Sequence, residues 1–240
     1  MKTSVPSRHG TGRRLHGAIA RKIGEDILCR DYEAGATLPT EASATATLGV
    51  SRAAYREAIQ ALIAKGLVES RPKSGTRVLP RERWNLLDPE VLAWAFARDP
   101  DKHLIESLFE LREIIEPAAA ALAAQRRSEI ELRRMKSGLV LMRRHTLATE
   151  EGRQGDRQFH SALLHATRND ALIALSSGIE AAVAWTTIYK QRGRDLPRDP
   201  VPFHMAVYEA IAASDPEQAT EAMRDLVKSA LEDVGLTAPK

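Results

Sequence analysis

The spacing of apolar residues predicts two helices in the first fifty positions. The first helix carries four apolar residues at intervals of four, the repeat of one helical face: Leu15, Ile19, Ile23 and Ile27. The second helix opens at Thr40 and Glu41, directly after Pro39. Its Ala- and Thr-rich run stops at Gly49, because glycine supplies the backbone freedom that a sharp turn needs. A short helix followed by a tight turn is therefore expected here.

A third helix is predicted after this turn, with Ser51 as its N-cap. Its apolar face holds Ile59, Leu62 and Ile63, and it ends at Lys65 before a glycine. Its first turns are expected to expose three polar side chains: Arg52, Tyr55 and Arg56. The major groove of DNA admits one helix, and arginine can donate two hydrogen bonds to guanine. This helix therefore has the character of a recognition helix.

Two short segments after the third helix predict a β-hairpin. Residues 67–69 and 76–78 flank a basic turn at 71–75. Helix, turn, helix and hairpin in this order form a winged helix-turn-helix. The residues expected to contact DNA are Thr40, Ser51, Arg52, Arg56, Lys73 and Gly75. The alternative without DNA binding is an ordinary helical hairpin whose basic face is solvated.

The remaining two thirds of the chain show helical periodicity without β-alternation. Seven helices are predicted there, beginning near residues 88, 104, 128, 151, 170, 201 and 215. Ser128 and Glu131 form a capping box, and Asp88 precedes a proline suited to a first helical turn. We therefore predict a mainly α protein, in which an N-terminal winged helix-turn-helix precedes a C-terminal all-α helical bundle.

Basic residues are concentrated in the first third of the chain. Residues 1–83 carry 15 Lys and Arg against 8 Asp and Glu, whereas residues 84–240 carry 20 against 24. The net charge of +3 conceals this asymmetry. Positive charge on the helix-turn-helix segment is expected for phosphate binding. We divide the chain into a DNA-binding domain at 10–80, a linker with a first helix at 81–98 and a helical domain at 99–236.

Two classes of protein are disfavoured by composition. No apolar stretch approaches the ~20 residues of a membrane span, and the polar start of the chain lacks the apolar core of a signal peptide. A cytoplasmic protein with no membrane partner is therefore expected. The single cysteine, Cys29, excludes an internal disulfide and a metal cluster of thiolates.

Three residues of the helical domain form a candidate metal site. Asp156 and His160 are four positions apart, so they project from one face of a helix, and His204 comes from another helix. Mixed carboxylate and imidazole ligands suit zinc, nickel or manganese-like ions. Two alternatives stay open on spacing alone: a hydrogen-bonded Asp–His pair, and a histidine packed in an apolar core.

An arginine among apolar helix positions indicates an anionic partner. Arg112 lies between Leu108 and Ile115, and its guanidinium stays charged and matches the geometry of a carboxylate. A carboxylate ligand and an ion pair with Glu116 within the same helix are both consistent with this placement. Trp185 is a candidate for stacking on a ligand, and core packing is its alternative.

Five short motifs of the first half occur in a fixed order. They are the run 35–41, the turn 48–52, the step 56–58, the helix exit 65–68 and the wing tip 74–76. Together they resemble the DNA-binding half of GntR-family bacterial transcription regulators. Ala42 departs from the pattern, because many relatives have arginine directly after the Pro-x-Glu step. A DNA contact made there in relatives is therefore not expected here.

The helical domain carries a second set of motifs. Residues 111–117, 156–160, Asn169 and His204 resemble the effector-binding FCD domain of the FadR branch, and the linker 84–94 is similar to that of its sugar-acid regulators, the galactonate-operon repressors most closely. The resemblance implies an effector site at Arg112, Asp156, His160, Trp185 and His204. In metal-binding relatives a third histidine follows 22 residues after the one matching His204, where this chain has Leu226. Three ligands still suffice for an open metal site, and an empty site is the alternative.

These features together predict a homodimeric, ligand-responsive transcription regulator. We expect a repressor on a palindromic double-stranded DNA operator, released by a small carboxylate, namely a sugar acid such as galactonate. Zinc or nickel is the expected cofactor. The alternative is a metal-dependent enzyme with the winged helix as a DNA tether, although no further acid, base or nucleophile motif accompanies the three metal-site residues.

Overall fold

The computed structural model describes residues 9–72, 74–192 and 198–235, with side chains from residue 16 onward in the first range. The chain separates into two compact units, the first ending at Pro100 and the second beginning at Asp101. Among the described residues, no helix combines the length and the apolar character that crossing a membrane requires. Lys73, predicted to contact DNA, lies outside the described residues.

The first unit is a winged helix-turn-helix, as the sequence predicts. Its helices are α1 (His9–Leu28), α2 (Glu41–Leu48), α3 (Arg52–Ala64) and α4 (Pro89–Ala95), and its strands are β1 (Val68–Arg71) and β2 (Gly75–Val78). The strands pair antiparallel with Val68 opposite Val78, and Thr37 adds a bridge to Arg77. Gly49 closes α2 at a φ of 65°, the left-handed conformation that the tight turn requires.

Tyr55 corrects one prediction about α3. Its side chain was expected on the exposed face, but it is 4% exposed and belongs to the core that α1 and α3 share. The hydroxyl donates a 2.8 Å hydrogen bond to the carbonyl of Pro39, which satisfies the polar end of the buried ring. The exposed face of the first turns of α3 therefore carries Arg52 and Arg56 without Tyr55.

Helix α4 is packed into the first unit. Asp88 caps it, accepting hydrogen bonds from the backbone of Glu90 and Val91, and also pairs with Lys65 Nζ at 2.8 Å. Trp94 belongs to the same core as α1 and α3. Residues 81–98, predicted as a linker with a first helix, thus lie within the compact unit that ends at Pro100.

The described secondary structure of the second unit is entirely helical. Its helices are α5 (Lys102–Arg126), α6 (Glu129–His145), α7 (Glu150–Ala166), α8 (Asp170–Ala174), α9 (Ser176–Lys190), α10 (Val201–Ala212) and α11 (Pro216–Val234). One helix was predicted over 170–190, but the chain breaks at Leu175 into α8 and α9. The break precedes Ser176, Ser177 and Gly178, which have low helix propensity. The described chain therefore has eight helices from α4 onward, where seven were predicted.

Close packing of α6 on α7 fixes the helix that carries the candidate metal ligands. A Cβ on Gly138 would lie 2.6 Å from the carbonyl oxygen of Gly155, and a Cβ on Gly155 would lie 2.6 Å from that of Gly138. Only glycine permits this approach of the two backbones. On its other side α7 contacts α5 and α9, and α5 also contacts α10 and α11. Helices α5, α7, α9, α10 and α11 enclose a cluster of buried polar side chains.

Candidate functional site

Three buried side chains from two helices converge in the second unit. Asp156 and His160 stand one turn apart on α7, and His204 lies in the first turn of α10. One candidate ligand atom from each lies within 4.8 Å of the other two, and each residue is at most 3% exposed. The Nε2 atoms of His160 and His204 lie 3.6 and 3.0 Å from Asp156 Oδ1. The sequence spacing paired Asp156 with His160, and the structure places His204 beside them.

A backbone carbonyl orients the ring of His204. Its Nδ1 lies 2.9 Å from the carbonyl oxygen of Pro200. A carbonyl only accepts hydrogen bonds, so Nδ1 carries the hydrogen and Nε2 of the neutral ring bears a lone pair. That lone pair faces Asp156 Oδ1, another acceptor, and Nε2 has no hydrogen-bond partner among the described residues. Two buried acceptors at this distance need a proton or a cation between them.

Glu116 orients His160 in a similar way. The His160 Nδ1 atom lies 3.1 Å from Oε2 of Glu116, which is 1% exposed, and Arg112 Nε donates a 2.6 Å hydrogen bond to the other carboxylate oxygen. With Nδ1 facing a carboxylate, the ring turns Nε2 towards Asp156, the orientation that such carboxylates give to metal-ligating histidines. The sequence revealed Glu116 only as a partner for Arg112, because the α5–α7 contact joins residues far apart along the chain.

The charges of the cluster follow from these contacts. Burial opposes the ionisation of Glu116, but Arg112 and His160 outweigh it and lower the pKa to about 2. Burial likewise opposes a charge on His160, but Glu116 and Asp156 raise its pKa to about 9. Despite its burial, the two histidines hold the pKa of Asp156 well below its usual range. Both carboxylates are therefore ionised and favour positive charge between the two imidazoles, which is either the proton of His160 or a bound cation that replaces it.

The donor set suits a divalent cation. Two imidazole nitrogens and one carboxylate oxygen, all buried and directed at one point, are ligands that zinc and nickel accept. Leu226 of α11 is 3% exposed and lines the same cavity, so the position supplies an apolar side chain in place of a ligand. Three protein ligands leave coordination positions for water or for an oxygen of an effector.

The cavity around this cluster is small and carries two cationic side chains. Arg112 and Lys190 both line it, and its volume of about 20 Å³ is room for about one water molecule. Burial and the nearby charge of Arg112 lower the pKa of Lys190 to about 8. Asp233 and Ser229 of α11 also face the cavity. Lys190 was not predicted; a lysine that ends the apolar helix α9 was its only signal in the sequence.

Arg112 forms the ion pair that its sequence position allowed, and it also lines the cavity. Its partner in the ion pair is Glu116, and its Nη1 lies 3.4 Å from Thr186 Oγ1. Trp185 is partly buried on α9 and is not among the described residues that line the cavity. Thr187 and Lys190 are the residues at the end of that helix that do line it.

Half of the six predicted DNA-binding residues line one groove of the first unit. A groove of about 410 Å³ runs between α2, α3 and the wing, lined in part by Thr40, Arg56 and Gly75. The side chains of Arg52 and Arg56 are 73% and 68% exposed. The hydroxyls of Thr40 and Ser51 cap α2 and α3, accepting hydrogen bonds from backbone N–H groups at 3.3 and 3.1 Å.

Family models match both units of the chain. The model for bacterial regulatory proteins of the gntR family matches residues 15–78, and the FCD domain model matches residues 107–229. The galactonate operon transcriptional repressor of Escherichia coli is 32% identical over 214 residues, which cover 88% of this chain and 93% of the repressor. The HTH-type transcriptional regulator LutR of Bacillus subtilis is 32% identical over 183 residues, covering 72% of this chain and 80% of LutR.

Solved structures share the fold. Lar of Listeria monocytogenes, described as controlling expression of the agr system, superposes with a TM-score of 0.68 at 18% identity, covering 99% of this chain and 100% of Lar. McbR/YncC of E. coli superposes with a TM-score of 0.54 at 15% identity, covering 92% and 97%. The two matched domains, in this order, place the chain in the GntR family of bacterial transcription regulators, in the FadR subfamily that carries an FCD effector domain.

Proposed function

We propose that this transcription regulator is a homodimeric repressor that leaves its operator when a small carboxylate binds the second unit. The observation that carries the proposal is the buried cluster of Asp156, His160 and His204 beside Arg112, in which His204 Nε2 has no hydrogen-bond partner among the described residues. A sugar acid such as galactonate is the proposed effector, because its carboxylate suits Arg112 and its hydroxyls suit a metal ion. The galactonate operon repressor among the relatives supports this class.

The first unit holds the operator in this proposal. Arg52 and Arg56 would read base edges in the major groove, while Ser51, Lys73 and Gly75 would contact the backbone or the minor groove. The exposure of both arginines on one end of α3 supports this assignment. Thr40 would contact phosphate through the start of α2. Two copies related by a twofold axis would match a palindrome.

The second unit would hold zinc or nickel through Asp156, His160 and His204. When bound, the cation supplies positive charge and open coordination positions for an effector oxygen. Arg112 would orient the effector carboxylate, and Lys190, which lines the same cavity, would add a second positive charge. We propose that the functional domains have the boundaries predicted from the sequence: residues 10–80 bind DNA, residues 81–98 connect the domains, and residues 99–236 bind the effector.

A ligand screen tests this function. Thermal shift with sugar acids, with and without added zinc or nickel, should find one that stabilises the protein, by about 2.7 kcal/mol at 100 times its dissociation constant. The same ligand should weaken operator binding. A protein that binds DNA but responds to none of the acids would contradict the effector class. Failure to bind any DNA would contradict the regulator model as a whole.

Catalysis has no part in the proposal. The relatives are transcription regulators, and Asp156, His160 and His204 lie together as a ligand set does. Incubation of each binding acid with the zinc- or nickel-loaded protein should return it unchanged by mass spectrometry. Turnover of an acid would support the metal-dependent enzyme instead.

A further inference from the structure

Glu41 begins α2, yet its carboxylate contacts the recognition helix α3. Arg56 donates through Nε to Oε2 at 2.7 Å and through Nη2 to Oε1 at 3.0 Å. Arg52 Nε lies 3.8 Å from Oε1 of the same carboxylate. One acidic side chain therefore contacts both arginines assigned to base reading, on the groove that Glu41 and Arg56 line together.

This contact adds little to the stability of the fold. The side chains of Glu41 and Arg56 are 30% and 68% exposed, and water screens ion pairs at such a surface. The start of α2 is already capped by the hydroxyl of Thr40. What the contact does change is the freedom of Arg56, because two hydrogen bonds fix a long side chain that would otherwise sample many rotamers.

The geometry leaves the reading end of Arg56 outside the ion pair. Glu41 occupies the edge formed by Nε and Nη2. The end formed by Nη1 and the outer hydrogen of Nη2 is not part of this contact. A guanidinium can fork onto guanine O6 and N7 with that end. Glu41 can therefore hold Arg56 while Arg56 reads a base.

The charge of Glu41 has a second consequence. The Glu41 carboxylate lines the protein groove that would face DNA, so it repels phosphates and offsets part of the positive charge of Arg52 and Arg56. Both effects act on every DNA sequence. Only a well-oriented contact with guanine restores the binding free energy that this repulsion removes. Specificity is the difference between the cognate and non-cognate binding free energies, so the uniform repulsion keeps non-cognate binding weak, while the orientation of Arg56 supplies the difference.

We propose that Glu41 is a positioning residue that sets sequence specificity: it orients Arg56, with Arg52, for guanine and lowers affinity for non-cognate DNA. The inference rests on the proposed base-reading role of these two arginines.

Binding of the full-length protein to three DNA duplexes tests this role. The operator is first obtained by selection from a random DNA pool, and then compared with the same duplex substituted at the guanine that Arg56→Ala identifies, and with unrelated DNA. Glu41→Gln should tighten binding to unrelated DNA by about two- to fivefold, the effect of one unit charge near phosphate. It should also reduce discrimination at that guanine by at least about fivefold, the lower range for a bidentate contact.

Three further variants separate orientation from charge and from folding. Glu41→Asp keeps the charge but shortens the reach, so discrimination should fall while affinity for unrelated DNA stays low. Glu57→Gln is the matched control, because Glu57 lies on α3 but contacts His16 Nδ1 at 2.9 Å; it should leave discrimination unchanged. In an Arg56→Ala background, Glu41→Gln should no longer alter discrimination. Melting temperatures confirm that each variant is folded.

The outcomes are distinct. A structural role for Glu41 would weaken binding to all three duplexes alike and lower the melting temperature, which overturns the proposal. Unchanged discrimination in Glu41→Gln also overturns it, while selection of an operator by the wild type leaves the proposed DNA-binding function intact. If the wild-type protein selects no DNA sequence, both the role of Glu41 and the proposed DNA-binding function are contradicted.

Discussion

At the scale of single residues, the side chains that point into the cavity of the second unit determine whether it can hold a metal ion. Asp156 faces two imidazole nitrogens, and Leu226 faces the same cavity from α11 with an apolar side chain. A buried polar group without a partner is costly, so a histidine introduced at 226 is stable only if it finds a metal ion or another partner. This residue is therefore the most direct probe of whether the cluster holds a metal.

Leu226→His should tighten zinc or nickel binding by about tenfold or more, because it adds a fourth ligand to Asp156, His160 and His204. His160→Ala should abolish binding. Leu226→Gln is the matched control, since it buries a polar side chain of similar size that ligates these metals poorly. Metal content by mass spectrometry and competition with a chelator provide the measurement. If neither histidine change alters affinity or stoichiometry, the cluster is a polar network without metal.

Lys190 gives effector binding a pH dependence. Its pKa is lowered to about 8 by burial and by Arg112, against the opposing charges of Asp156 and Asp233. A bound carboxylate favours protonated Lys190 and raises that pKa. Effector affinity should therefore be constant below pH 8 and fall as pH rises through about 8 and 9. Calorimetry at pH 8.5 in buffers of different ionisation enthalpy should detect proton uptake.

Lys190→Arg is the control for this titration. Arginine keeps its charge throughout the range, so the variant should bind effector without proton uptake near pH 8.5. Lys190→Met should bind more weakly at every pH below 8. Equal affinity and equal proton uptake in all three proteins would place Lys190 outside the effector site.

At the scale of elements, short-range sequence patterns predicted the helices and turns, whereas contacts between residues far apart in the chain were not predicted. Gly49 and the caps at Ser51 and Ser128 act within a few residues, so the sequence contains everything that determines them. The position of Tyr55 was predicted wrongly because its ring packs in a core shared with α1 and its hydroxyl donates to the Pro39 carbonyl, sixteen residues away. The role of Glu116 behind His160 depends on α5 meeting α7, which no short-range pattern encodes.

Recognition helix α3 and the wing should contribute differently to DNA binding. Arg52→Ala should cost about 1 to 3 kcal/mol and relax preference at one base pair per half-site, because it removes a base contact. Lys73→Ala should weaken binding uniformly across sequences and lower the salt slope by about one, because it removes a phosphate contact. Binding titrations at several salt concentrations distinguish the two. An Arg52→Ala protein with unchanged affinity and selectivity would mean that base reading lies elsewhere.

At the scale of the whole molecule, the size of the cavity links effector binding to movement. A volume of about 20 Å³ has room for about one water molecule, and a sugar acid is many times larger. We therefore expect the helices that line the cavity, namely α5, α7, α9, α10 and α11, to shift when the proposed effector enters. An effector that prefers the shifted state 100-fold biases the equilibrium by about 2.7 kcal/mol.

Disabling Arg112 should separate operator binding from induction. Arg112→Ala removes the carboxylate anchor, but it also leaves Glu116 buried without its cation, a loss of about 3 to 5 kcal/mol that can unfold the second unit. Arg112→Lys is the sharper variant, because it keeps the charge beside Glu116 and loses only the fork that matches a carboxylate. We expect Arg112→Lys to bind the operator as the wild type does and to remain bound at effector concentrations that release the wild type. Calorimetry should show effector affinity reduced by about tenfold or more. Unchanged affinity together with normal release would reduce Arg112 to a structural partner of Glu116, and Lys190 with the metal ion would then have to hold the carboxylate.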